Sequence, residues 1–471
     1  MVKVNVAPGL TSLEQESENI LLPVEGNVPE WLSGSLIRNG AAKFEVGEEK
    51  YKHSFDGLAM LHRFAFRKGL ILYTNKFLRG NTFISTVKKR RIVYPEVATI
   101  PNRSLLYRIF LNASGNFTDN ASVNVSRIGK SYIAMTETPP RVEFDPDSLS
   151  TLGRFHYGDR VAGHLTTVHP HLDYDKGQII NYITHFSLTS IYNVYSIKQG
   201  STRRQILASI PVKQPAYMHS FGMTEKYIIL SEFPLFINPS RLLLTGSPFI
   251  DNLFWKPEHG TSFLVIDKTS GKRVGNFKCD AFFAFHHINC YEETGNVIVD
   301  VVSYKDSSII NSLYLDKLRQ GDFLIPTPQI RRYYLDLADN KVTVSILSND
   351  FVEFPRINYQ RCNSRNYNYV YGISDHKSNG FPNKLVKFCI KTQSSKYWHR
   401  ENNFAGEPVF VAAPGAEEED EGVILSLVLD TIKIVTYLLI LDATTFSEIA
   451  RAYLPFAVPF GSHGQYYEGI N

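Results

Sequence analysis

Four histidines and three glutamates are the residues best suited to do chemistry in this 471-residue chain. His169 stands in TTVHPHLD, His219 in YMHSFGM, His286 in FFAFHHIN and His463 in PFGSHGQYY. Each lies among apolar, small or aromatic residues beside a strand-like run, so each is expected to be buried. A buried neutral imidazole needs partners for both ring nitrogens. Taken singly, each reads as an ordinary core histidine. Their separations of 50, 67 and 177 residues add a second reading. A four-stranded propeller blade takes about 40–50 residues, so inner strands of different blades could bring the rings to one axis. Imidazoles suit iron, copper, zinc or nickel. Four of them leave a coordination position open only on a five- or six-coordinate metal, which favours iron over closed tetrahedral zinc. Two local choices stay open. In HPH, His169 and His171 share a strand face; in HH, His286 and His287 point oppositely, so only one can face an axis.

Glu137 in AMTETPP, Glu353 in FVEFPRINY and Glu407 in GEPVFV sit in apolar or proline-bearing settings where a free charge is costly. Alone, each reads as a turn cap. As a trio they suit the second N–H of metal-bound imidazoles, which is usually donated to a carboxylate or carbonyl. Three ionised glutamates around a divalent metal would leave one net negative charge. Other catalytic signatures are missing: there is no GxSxG, HExxH, P-loop or strand-borne GxGxxG.

The elements that must position these residues read as strands. LILYTNKF, SYIAMTE, QIINYITHF, KYIILSE, TSFLVID, NVIVDVVS, PVFVAA, VILSLVLD and YLLILD are rich in Val, Ile, Tyr and Phe, with turn clusters between them. Helical periodicity is confined to Ile309–Arg319 and Ser104–Leu111. The pattern predicts an all-β propeller or sandwich without exact repeats, over one domain spanning 1–471. Val423–Leu441 is interrupted by Asp430 and Lys433 and reads as two buried strands, not a membrane span. KKRR (88–91) and EEEDE (417–421) read as solvated turns, and five N-x-S/T sequons between Asn102 and Ser126 as a polar surface stretch.

Composition narrows the classes. With 43% hydrophobic and 13% aromatic residues the chain is ordered, and 50 basic against 46 acidic residues (net +4) give no field for nucleic acid. Four cysteines without a CxxC pair predict neither a disulfide scaffold nor a zinc knuckle, and point to a reducing compartment. The N-terminus lacks the apolar core of a secretory signal. The expectation is a cytoplasmic protein, peripheral to a membrane.

A set of ordered motifs then resembles the carotenoid cleavage oxygenase family, in particular its metazoan-type branch of β-carotene oxygenases and the retinoid isomerase. They are GNVPEWLSGSLIRNGAAKFEVGEEKYKHSFDGLAMLHRF (26–64), FTDNASVNVSRIGKSYIAMTET (117–138), TTVHPH (166–171), WKPEHGTSFLVIDKTSG (255–271), FHHINCYEE (285–293), EFPRINYQ (353–360), EPVFVAAPG (407–415) and PFGSHG (459–464). The resemblance implies a seven-bladed β-propeller with a helical and loop cap over the metal-bearing face. It implies Fe(II) held by His169, His219, His286 and His463, with Glu137, Glu353 and Glu407 behind the ligands, and so resolves HPH and HH. The implied reaction is cleavage of one polyene C=C bond of a carotenoid or apocarotenoid by O2, giving two carbonyl products. Aromatic faces would stabilise positive or radical character on the polyene; Phe55, Phe285, Tyr304 and Tyr314 are the tunnel candidates, with Thr136 orienting O2. Leu105–Leu111 and Phe233–Phe254 are the candidate membrane-facing entrance.

Departures from the family pattern leave substrate choice open. The PDPCK-type motif is replaced by TIPNRSLL (99–106), without a cysteine for lipid attachment, and RNGPG by RNGAA. Alternative chemistries on the same iron are a retinoid ester isomerohydrolase, with the metal as Lewis acid, and a stilbene-type alkene-cleaving dioxygenase. A carotenoid-binding protein with an idle site is disfavoured by the complete set of histidines and glutamates.

Overall fold

The computed structural model describes residues 5–113, 117–321, 324–375 and 380–470. The chain is a seven-bladed β-propeller. Each blade is an antiparallel sheet whose first strand in the chain stands innermost, except in two: Val24–Gly26 pairs with Glu448–Tyr453 at the outer edge of one blade, and another blade closes the ring. There the C-terminal strand Gly464–Glu468 pairs with Gly34–Lys43, which continues outward through Leu58–Arg67, Leu70–Phe77 and Ser17–Leu21. Both ends of the chain therefore lock one sheet.

Strand sequences follow their burial. Leu58–Arg67 is buried along nearly its whole length, as befits a strand covered on both faces by neighbouring blades. The apolar stretch from 423 to 441 forms the hairpin Gly422–Asp430 and Val435–Asp442. The residues that interrupt it make its turn: the Asp430 carboxylate accepts the backbone N–H groups of Ile432 and Lys433, both at 3.0 Å.

The helices are short and lie between strands. Two are α1 (Asn81–Lys89) and α2 (Leu105–Ala113). A third, α3 (Pro239–Leu244), packs beside α2. Where the sequence reads KKRR as a solvated turn there is helix α1; Lys88 and Lys89 form its last turn and are exposed. The single helix expected over Ile309–Arg319 is two helices, Ser308–Ser312 and Leu315–Gln320. The break arises because Leu313 C=O accepts Ser54 N–H and Leu315 N–H donates to Lys52 C=O, so the chain pairs with residues 52–54 instead of continuing its own helix.

Two further expectations are corrected. Within EEEDE, Glu419 is buried and accepts the backbone N–H groups of Asn368 and Tyr369, while Asp420 is ion-paired with the buried Lys387. In the sequon stretch, Asn120 and Asn124 are buried: Asn120 donates to Gly57 C=O at 2.9 Å and Asn124 to Val168 C=O at 2.9 Å. No helix among the described residues is long and apolar enough to cross a membrane.

Candidate metal centre

Each of the seven blades contributes one residue at the same end of the axis. His286 and His463 immediately precede innermost strands, His219 stands three residues before one, and His169 lies between Leu165–Thr166 and His171–Asp173 in another. Glu353 opens the innermost strand of the sixth blade in chain order. Glu407 lies between the two inner strands of the next, and Glu137 follows Ser131–Met135. Antiparallel sheets put all these positions on one rim.

The ligand atoms of the four histidines lie within 4.8 Å of one another. His169 Nε2 is 3.0 Å from His219 Nε2, and His286 Nε2 is 3.4 Å from His463 Nε2. Behind the rings, His219 Nδ1 donates to Glu137 at 2.8 Å, His286 Nδ1 to Glu353 at 2.7 Å and His463 Nδ1 to Glu407 at 2.7 Å. A neutral imidazole that donates from Nδ1 carries a bare lone pair on Nε2. Two such lone pairs therefore face each other between His286 and His463, an arrangement that repels unless a cation lies between them. Burial pushes the His169 ring well below its ordinary pKa, reinforced by the neighbouring imidazoles, and brings His463 to about 4. The donor set thus fits a divalent transition metal such as iron.

The competing histidines are occupied elsewhere. His171 uses Nδ1 on the Tyr359 hydroxyl and Nε2 on Phe221 C=O, each at 2.9 Å. His287 is held by the Ser220 and Ser231 hydroxyls at 2.8 and 2.7 Å.

The three glutamates have different surroundings. Glu137 accepts from the Tyr217 hydroxyl at 2.9 Å. Glu353 accepts from the Tyr304 hydroxyl at 2.7 Å and the Phe354 N–H at 2.8 Å. Burial alone would raise its pKa, yet His286 and these hydrogen bonds hold it below the usual value. Glu407 is clamped by Arg38 Nη1 at 2.6 Å, Arg356 Nε at 2.9 Å and the Gly464 N–H at 3.0 Å. The two guanidinium groups and His463 outweigh its burial and keep it ionised. Tyr217, Arg38 and Arg356 were not singled out from sequence. Tyr217 lies two residues from His219, the strand spacing that shares a face, and Arg38 is a lone charge inside the apolar run SLIRNGAA. Close backbone approach fixes His463: a Cβ on Gly40 would come 2.6 Å from Gly461 Cα. Asn39 also exchanges hydrogen bonds of 2.9 Å with Ser462 and His463.

The rings of His219, His286 and His463 form one wall of a largely apolar cavity of about 370 Å³. Phe55, Thr136, Phe285 and Tyr304 line it, with Val97 and Phe249 from the cap. Tyr314 is not among the lining residues; it stands behind Phe55, with His53 packed between them at ring separations of 5.1 and 4.7 Å. Phe354 was missed and lies nearer the centre, 5.1 Å from the His463 ring and 5.6 Å from His286. Its backbone φ of 49° is an uncommon one for a bulky residue.

Fold and site together define a class: a propeller that gathers four imidazoles, three of them with carboxylate partners and lining a greasy cavity. Comparison with known proteins agrees. The profile of the retinal pigment epithelial membrane protein family matches residues 10–468, and the chain belongs to that family, which includes the carotenoid oxygenases. It is 33% identical to human β,β-carotene 15,15′-dioxygenase, covering 96% of this chain and 92% of that one. It is 32% identical to the mitochondrial carotenoid-cleaving dioxygenase of Mustela putorius furo, covering 98% and 96%. Among solved structures, cobalt-substituted Synechocystis apocarotenoid oxygenase superposes with a TM-score of 0.87 at 25% identity, over 98% of each chain.

Proposed function

We propose that the protein is a non-haem Fe(II) dioxygenase that cleaves one polyene double bond of a carotenoid or apocarotenoid with O2, giving two carbonyl products. The observation that carries this reading is the convergence of four imidazole nitrogens within 4.8 Å of one another, beside an apolar cavity that His219, His286 and His463 line. His169, His219, His286 and His463 would hold the iron, and the metal would supply an open position for O2 and the electrons to activate it. Glu137, Glu353 and Glu407 fix the Nδ1–H tautomer and ring orientation of three ligands. The cavity wall excludes water and orients the polyene; Phe285 lies 5.4 Å from the His219 ring, and Thr136 on the same wall would orient O2. Phe55 and Phe354 offer further π-faces to positive character on the chain.

Substrate entry fits a membrane surface. On α2, Leu105, Leu106, Tyr107 and Phe110 are exposed, Leu106 at 80%. This face would lie in the lipid interface. The second entrance stretch is divided: Phe233, Leu235 and Ile237 are core, while Leu244 is exposed.

The test is aerobic incubation of the iron-loaded protein with β-carotene, a β-apocarotenal, a retinyl ester and a stilbene, with mass analysis of products. Paired carbonyl fragments from a polyene support the proposal and identify the bond. Turnover of the ester or the stilbene alone would replace it with the isomerohydrolase or the phenylpropanoid reading.

A further inference from the structure

One polar side chain on the cavity wall takes no part in the metal centre. His164 lines the cavity at an edge where it, Phe117 and Phe186 are all partly exposed. Its ring stacks on Phe186 at 5.4 Å and 13°, meets the edge of Phe117 at 6.1 Å and lies 4.9 Å from His185. The Phe186 backbone N–H donates to His164 Nδ1 at 3.0 Å. An amide N–H can only donate, so Nδ1 must be the acceptor and the ring proton must sit on Nε2. Burial and the neighbouring His185 lower the pKa of His164, in keeping with a neutral ring. Nε2–H has no hydrogen-bond partner among the described residues. It is a fixed donor, braced by two phenylalanines and a backbone amide, at the edge of a largely apolar cavity. His219, His286 and His463 line the same cavity as His164. One bound polyene can therefore meet both His164 and the metal centre.

We infer that His164 is a specificity-determining residue whose Nε2–H binds an oxygen at one end of the substrate, so that the preferred substrate is an oxygenated polyene, with a terminal carbonyl or hydroxyl, over a hydrocarbon carotene. The inference rests on the polyene reading of the cavity. A hydrocarbon end would leave the donor unsatisfied, which a site built to hydrogen-bond its ligand discriminates against.

The test is equilibrium binding of a β-apocarotenal and of a hydrocarbon polyene of equal chain length, followed by polyene absorbance in detergent. Wild type, His164→Phe and His164→Gln are compared, each checked for an unchanged melting temperature. The phenylalanine keeps the stacking and loses the donor; the glutamine restores an N–H. The expected result is aldehyde binding weakened about 2- to 12-fold in His164→Phe, the size of one net hydrogen bond. Hydrocarbon binding should be unchanged, and His164→Gln should recover part of the loss. Equal weakening of both ligands, or of neither, overturns the inference. Binding of neither polyene to wild type overturns both this inference and the polyene reading. Selective aldehyde binding without turnover would keep the inference and sink only the oxygenase activity.

Discussion

Glutamate-to-glutamine substitutions at 407 and 353 should have different consequences, although each glutamate accepts a histidine Nδ1–H. Glu407 neutralises Arg38, which is 3% exposed, and Arg356. Glu407→Gln leaves a buried guanidinium without its carboxylate, a loss of about 3–5 kcal/mol. For a chain of this length the unfolding entropy is about 1 kcal/mol per kelvin, so melting should fall by about 3–5 °C. The partners of Glu353 are the His286 ring, the Tyr304 hydroxyl and the Phe354 N–H, with no guanidinium. Glu353→Gln should therefore cost about 1 kcal/mol while weakening metal binding or activity about 10–100-fold. The assay is thermal unfolding of the metal-free variants, so that metal loss does not enter, with anaerobic Fe(II) titration alongside. Equal destabilisation by the two substitutions would refute the charge argument. Unchanged metal binding and kinetics in Glu353→Gln would refute its role behind His286.

His286→Ala should abolish iron retention, whereas His287→Ala should keep the metal and cost about 1–3 kcal/mol through the stranded Ser220 and Ser231 hydroxyls; metal analysis and melting separate the two. Burial raises the Asp56 pKa from 3.8 to about 6. Its contribution to stability is thus fully present below pH 3.8 and lost as pH rises through about 6. Relative to Asp56→Asn, wild type should lose about 3 kcal/mol across that window and run parallel above it; parallel curves throughout would contradict the burial argument. Leu106→Glu with Phe110→Glu should reduce sedimentation with liposomes severalfold and leave turnover of a detergent-dispersed substrate unchanged, since both side chains face outward on α2. Full liposome binding by the double variant would remove α2 as the membrane-facing surface.

The strands and the histidines were legible in the sequence because each is encoded locally. A buried strand needs a continuous apolar run, and a histidine inside one is conspicuous. Contacts between distant residues were not legible. Helix α1 starts where the Asp119 carboxylate accepts the N–H groups of Asn81 and Thr82, at 2.8 and 2.7 Å, a cap supplied from 38 residues away. The acidic run at 417–421 looked solvated because its partners, the 368–369 backbone and Lys387, belong to another blade. Tyr304 was picked for its aromatic face, and it does line the cavity. Its hydroxyl bond to Glu353 depends on a pairing that spacing cannot reveal. Tyr314 was drawn in by composition, yet its backbone bridges His53 and its ring stands behind the wall.

The most direct measurement of the central claim is a single-turnover incubation of the iron-loaded protein with a β-apocarotenal under ¹⁸O2, quenched rapidly and read by mass spectrometry. The account predicts two carbonyl fragments whose masses sum to the cleaved polyene plus both oxygen atoms, each fragment carrying one label. Intact polyene in a protein that retains its iron, or fragments without label, would contradict it.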